Sequence, residues 1–113
     1  MHEFGVADSL LKAVLHSAEQ NQATRVIKVR MRIGPLSGIV IESLQFAFEA
    51  LAQDTIAENA DLEIDETRIV CYCSECDQEF DAGLGQYRCP RCGKPSGNLR
   101  SGRELDVLDM EVA

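Results

Sequence analysis

Four cysteines in two pairs carry the clearest chemistry in the chain: Cys73 and Cys76 in CYCSEC, and Cys89 and Cys92 in CPRCG. A gap of two residues lets one tight turn offer two thiolates to a single ion, and the 12 residues between the pairs suit two hairpin-borne knuckles closing one tetrahedral site. Thiolates of this kind suit Zn(II). With all four positions filled by protein, the ion would be structural, because catalytic zinc keeps a position open. Cys71 is the odd cysteine. The C-x-C spacing puts Cys71 and Cys73 on the same face of an extended strand without requiring a shared metal, so Cys71 reads as a small packing residue.

The second candidate lies at the opposite end, in MHE. His2 is bulky, so Met1 is expected to stay. The Met1 amine, the His2 amide and the His2 imidazole would then stand in a row, closing fused chelate rings around one ion. A planar set of nitrogen donors suits Ni(II) or Cu(II), whereas Zn(II) prefers the tetrahedral thiolates. Because these donors must lose or lack a proton, binding should weaken in acid. The competing reading is an accidental histidine on a loose end. Glu3 also has a plain reading, as a carboxylate favoured by the dipole at a helix N-terminus.

Regular elements must position these residues. Residues 7–18 place Ala7, Leu10, Leu11, Val14, Leu15 and Ala18 at helical spacing, ending in the polar Gln20 to Gln22 stretch. RVIKVRMRIG then alternates, with Ile27, Val29, Met31 and Ile33 on one side and Lys28, Arg30 and Arg32 on the other, as a half-buried strand. Gly34-Pro35 opens a loop, and Leu44, Ala47, Phe48 and Leu51 mark a second helix. Leu62 and Ile64 oppose Glu63 and Asp65 in a second strand.

From about residue 70 to 103 the composition turns to Cys, Gly and turn formers, too poor in large apolar residues to fold without a metal or disulfides. Beyond it ELDVLDMEVA alternates again, slipping phase between Val107 and Leu108 as a bulged strand would. The expected fold is α+β: a small mixed sheet with two helices formed by residues 1–69 and 104–113, and an inserted zinc-ribbon lobe over 70–103.

The chain has 113 residues, no apolar run of membrane-spanning length and no signal-peptide pattern, so a soluble, cytoplasmic protein is expected. A net charge of -8 argues against a nucleic-acid partner. Arg88, Arg91, Lys94, Arg100 and Arg103 cluster locally, but without interleaved aromatics they read as a solvated face. His16 reads as a surface histidine, and no nucleophile elbow or phosphate loop is present, so no enzyme is expected. Two other classes remain: a zinc-ribbon adaptor that binds protein or nucleic acid with no second metal, and an iron-thiolate electron carrier, which would be red.

Taken together, the N-terminal MHE, the strand ending RIGPLSG, the FAFEALAQDT helix, CYCSEC, CPRCG and the GREL segment resemble the HypA/HybF family of hydrogenase maturation factors over the whole chain. That resemblance implies a nickel metallochaperone. It assigns Ni(II), the transferred cargo, to the Met1 amine, the His2 amide and imidazole and the Glu3 amide, and structural Zn(II) to Cys73, Cys76, Cys89 and Cys92. It also implies a HypB-type GTPase and a [NiFe]-hydrogenase large subunit as partners, with no membrane. Any self-association is expected to be weak.

Overall fold

Ala7, Leu10, Leu11, Val14 and Ala18 are buried along one face of helix α1, His2–Gln20, in the computed structural model, which describes residues 2–113. The helix therefore begins five residues before the apolar stripe predicts. Its first turn contains the exposed Phe4 and Gly5, and is tied down by a tertiary contact: the Glu3 carboxylate accepts a hydrogen bond from the Val40 N–H at 3.1 Å. The far end closes where the sequence places it. Gln22 takes a left-handed φ of 56°, while Gln22 N–H reaches Glu19 O at 3.0 Å and Ala23 N–H reaches Ala18 O at 2.9 Å, a Schellman arrangement that satisfies the last carbonyls.

Strand β1 spans Val26–Ile33, and its buried side chains are Val26, Val29, Met31 and Ile33, with Ile27 only half-buried. The expected alternation is correct from Val29 onward and fails at the first turn of the strand, where Val26 donates its N–H to Ile56 O at 2.8 Å and is itself buried. The chain then passes a short 3-10 turn, Pro35–Ser37, and helix α2, Ile41–Ala52, whose buried face is Leu44, Ala47, Phe48 and Ala52. Helices α1 and α2 pack against each other. Leu51, expected on that face, is half-buried.

Strands β2, Asp61–Glu66, and β6, Leu105–Val112, flank β1 in a three-stranded sheet of order β2-β1-β6. Ion pairs Lys28–Glu63 at 3.4 Å and Arg30–Asp109, hydrogen-bonded at 2.8 Å, link the centre strand to each neighbour. Both are exposed, so they select register more than they stabilise. In β6 the half-buried residues are Leu108, Met110 and Val112, while Leu105 and Val107 lie exposed on the other face. The phase slip in the sequence thus comes from two apolar residues facing solvent.

The chain leaves this sheet after β2 and rejoins it at β6. Between them β3, Val70–Cys73, pairs antiparallel with both β4, Gln78–Asp81, and β5, Leu99–Ser101, giving a second sheet of order β4-β3-β5. The fold is therefore α+β with an inserted ribbon. Two compact units result: the first takes in the chain as far as Met31, with Ile39–Asp65 and Val107–Ala113, and the second Arg32–Gly38 with Glu66–Asp106. The second unit is larger than the span 70–103 read from composition, because RIGPLSG joins it. Gly34 N–H bonds Glu104 O at 2.8 Å, Leu36 N–H bonds Gly102 O at 2.7 Å, and Thr67 N–H bonds Ile33 O at 3.0 Å.

Candidate metal centres

Each cysteine pair sits on a turn whose exit residue has left-handed backbone. Cys73 closes β3 opposite Gln78, so Cys76 falls in the β3–β4 turn, and Asp77 after it has φ 50°. The Tyr72 hydroxyl donates to the Asp77 carboxylate, holding that turn against the strand. The second knuckle mirrors the first. Gly93 follows Cys92 at φ 75°, its N–H bonds Cys89 O at 2.8 Å, and Cys89 N–H bonds Lys94 O at 2.9 Å inside the Arg88–Pro95 bridge. A left-handed residue at this point costs glycine little and folds the chain back over the first cysteine of the pair.

The two knuckles bring the four sulfurs together. All lie within 4.8 Å of one another, with Cys73 Sγ to Cys92 Sγ at 3.6 Å and Cys89 Sγ to Cys76 Sγ at 3.9 Å. A tetrahedral ion with metal–sulfur bonds of about 2.3 Å requires sulfurs roughly 3.8 Å apart, so the cluster fits structural Zn(II). The protonation pattern agrees. Backbone N–H groups of Cys92 and Arg91 aim at the Cys89 sulfur and lower its pKa to about 7, whereas burial and the neighbouring thiols push Cys76 up to about 12. Four thiolates this close need a cation to ionise together.

Cys71 stands outside this group. It is 1% exposed on β3, opposite Phe80, in a small apolar cluster with Phe80 and the buried Cys73 and Cys89. Of the basic residues clustered in the sequence, Arg100 stacks over the Tyr72 ring at 4.5 Å, Arg88 donates to Gly93 O at 3.1 Å, and Lys94 pairs with Glu75 at 3.3 Å. Three of the five charges are thus spent on the ribbon itself.

At the other candidate centre, Met1 lies outside the described residues. His2 and Glu3 open α1, so their amide N–H groups belong to the first turn, which has no intrahelical acceptors. The His2 imidazole is exposed, and its Nε2 lies 3.7 Å from the Glu3 carboxylate. Glu3 is held below the usual carboxylate range, chiefly by the Val40 N–H. Sequence reasoning missed this second role for Glu3, since nothing local signals a partner 37 positions away. His16 is exposed on α1, as expected. No helix among the described residues is long and apolar enough to cross a membrane.

The family model described as "Hydrogenase/urease nickel incorporation, metallochaperone, hypA" matches residues 1–112. Hydrogenase maturation factors HypA of Picosynechococcus sp. and Chlorobium phaeobacteroides are each 39% identical to this chain over 112 residues, with 99% of both chains covered. Among solved structures, the Ni metallochaperone HypA from Helicobacter pylori is similar at a TM-score of 0.66 and 25% identity, covering 97% of this chain and 96% of that one. A second solution structure, of HypA protein, gives a TM-score of 0.71 at 27% identity over 100% of this chain and 97% of the other.

Proposed function

The chain belongs to the HypA family of nickel-incorporating hydrogenase maturation factors, and from that premise we propose that its own nickel site is the N-terminus. Ni(II) is bound by the Met1 amine, the His2 amide and imidazole, and the Glu3 amide. Cys73, Cys76, Cys89 and Cys92 hold a structural Zn(II). The protein is a carrier rather than an enzyme: it accepts the ion, works with a HypB-type GTPase in the cytoplasm, and passes the ion to a [NiFe]-hydrogenase large subunit.

The observation that carries this reading is the start of α1 at His2. Replacing an amide proton by a metal normally breaks a backbone hydrogen bond. At the first turn of a helix there is no intrahelical bond to break, so metallation of the His2 and Glu3 amides leaves α1 intact. The Glu3 side chain meanwhile anchors the turn to the Val40 N–H, which limits the conformational entropy lost on chelation. Square-planar nitrogen donors favour nickel, and tetrahedral thiolates favour zinc, so geometry sorts the two ions.

His2→Ala tests the assignment. Nickel binding, followed by absorption of the planar complex, should be lost, while zinc content by native mass spectrometry and helicity by circular dichroism stay at wild-type values. Tight nickel binding in His2→Ala would sink the N-terminal site.

A further inference from the structure

The second unit contains a cleft of about 400 Å³ lined by none of the candidate metal ligands. It is lined by the apolar Leu36, Cys71, Tyr87 and Leu99 together with Ser96, Gly97 and Arg103. Arg103 is exposed, and among the described residues its guanidinium has no hydrogen-bond or ion-pair partner. Its neighbours in sequence are occupied: Glu104 Oε1 accepts from the Thr67 hydroxyl at 2.6 Å and from the Gly102 N–H at 2.9 Å. The Tyr87 hydroxyl is likewise unpartnered among the described residues. An apolar hollow of this size with a few convergent polar groups is the usual form of a ligand site.

We propose that this cleft receives a segment of a partner protein in which an apolar side chain stands next to a carboxylate. The apolar side chain enters between Leu36, Tyr87 and Leu99. The carboxylate meets the Arg103 guanidinium, whose planar fork matches it in a bidentate pair. A polypeptide suits the cleft better than a free small molecule because Leu99 belongs to β5, an edge strand paired only with β3 in its sheet. Its free main-chain groups can pair with an extended segment laid along the edge while one side chain drops into the cleft. The inference stands on the ribbon unit alone and is independent of the nickel assignment.

The test uses the full chain, zinc-loaded, nickel-free and ¹⁵N-labelled, titrated with the peptide acetyl-Gly-Phe-Glu-Gly-amide and with its glutamine counterpart. The glutamate peptide should shift the amide resonances of Leu36, Cys71, Leu99 and Arg103. The glutamine peptide, and the glutamate peptide against Arg103→Gln, should each bind about tenfold more weakly or worse, as loss of a charged hydrogen-bonded pair requires. Gly97→Leu, where an added Cβ meets nothing within 4 Å, should fold normally and abolish the shifts by filling the cleft that Gly97 lines. Shifts absent from the cleft, shifts confined to α1 or β1, or equal binding of the two peptides would overturn the proposal.

Discussion

Phe48, Leu44, Val26 and Val29 are 1% exposed or less in the first unit, while half of the buried apolar residues in the second, among those described, are cysteines: Cys71, Cys73 and Cys89 beside Ile33, Ile69 and Phe80. One region is held by apolar burial between two helices and a sheet, and the other by an ion. Charge divides along the same line. Of 19 acids, 12 fall in the first unit against 4 of the 11 bases, leaving 7 of each in the second. The acidity that argues against nucleic acid thus belongs to the first unit. A small ribbon cannot bury enough side chain to fold by itself, so its stability is metal affinity; a cargo site, by contrast, must release its ion without unfolding anything. With nickel at the N-terminus, as proposed, the two ions would lie in two differently stabilised regions and both requirements would be met.

The sharpest way to break this contrast is to remove the zinc or a ligand. Metal stripping, or Cys73→Ser, should abolish amide-exchange protection across residues 66–106 while that of α1 and α2 persists. Structural zinc in comparable small modules is worth roughly 10–16 kcal/mol, so the loss should be complete. A protected ribbon without metal would erase the distinction. The converse is Phe48→Ala, which should cost the first unit about 3–5 kcal/mol in denaturant titration and leave zinc stoichiometry unchanged.

Two smaller changes probe the clasp that joins RIGPLSG to GREL in the second unit. A Cβ on Gly34 would lie 2.2 Å from Gly102 O, a backbone atom that has no room to yield. Gly34→Ala should therefore destabilise this unit by about 1–3 kcal/mol in thermal melts of the zinc form. Glu104 is held below its ordinary carboxyl pKa, first by the Thr67 hydroxyl. With the folded value depressed, its charge contributes stability above the unfolded value and loses it as pH falls through the folded one. Glu104→Ala should cost about 1 kcal/mol at neutral pH, with the gap from wild type narrowing in acid as Glu104 protonates. A gap that does not change with pH would show that packing, not the charge, matters there.

The convergence of the four cysteines was readable from sequence because its geometry is local: C-x2-C turns, a glycine after Cys92 and a short separation leave little freedom. Cys71 was readable for the same reason, since alternation along β3 decides its face. The start of α1 was not. Phe4 is exposed and Gly5 is a poor helix former, so no periodic signal reaches His2, and the turn depends on the Val40 N–H, far away in sequence. Arg32–Gly38 was assigned to the first region by adjacency. Its backbone bonds to Gly102 and Glu104 are long-range pairings that composition does not encode. The basic cluster is solvated as expected, all five side chains being exposed, but the contacts of Arg100, Arg88 and Lys94 with a ring, a carbonyl and a carboxylate within the ribbon carry no signal in the sequence.

In the proposed arrangement nickel and zinc occupy separate regions, and nickel depends on a free N-terminus. The most direct measurement is a Ni(II) titration of zinc-loaded protein that begins at Met1, read by absorption, alongside the same protein carrying two extra residues before Met1. A planar-nickel band should appear in the first and not in the second, with the zinc retained in both. A band of equal strength in the extended protein, or nickel that displaces zinc from the four thiolates, would contradict it.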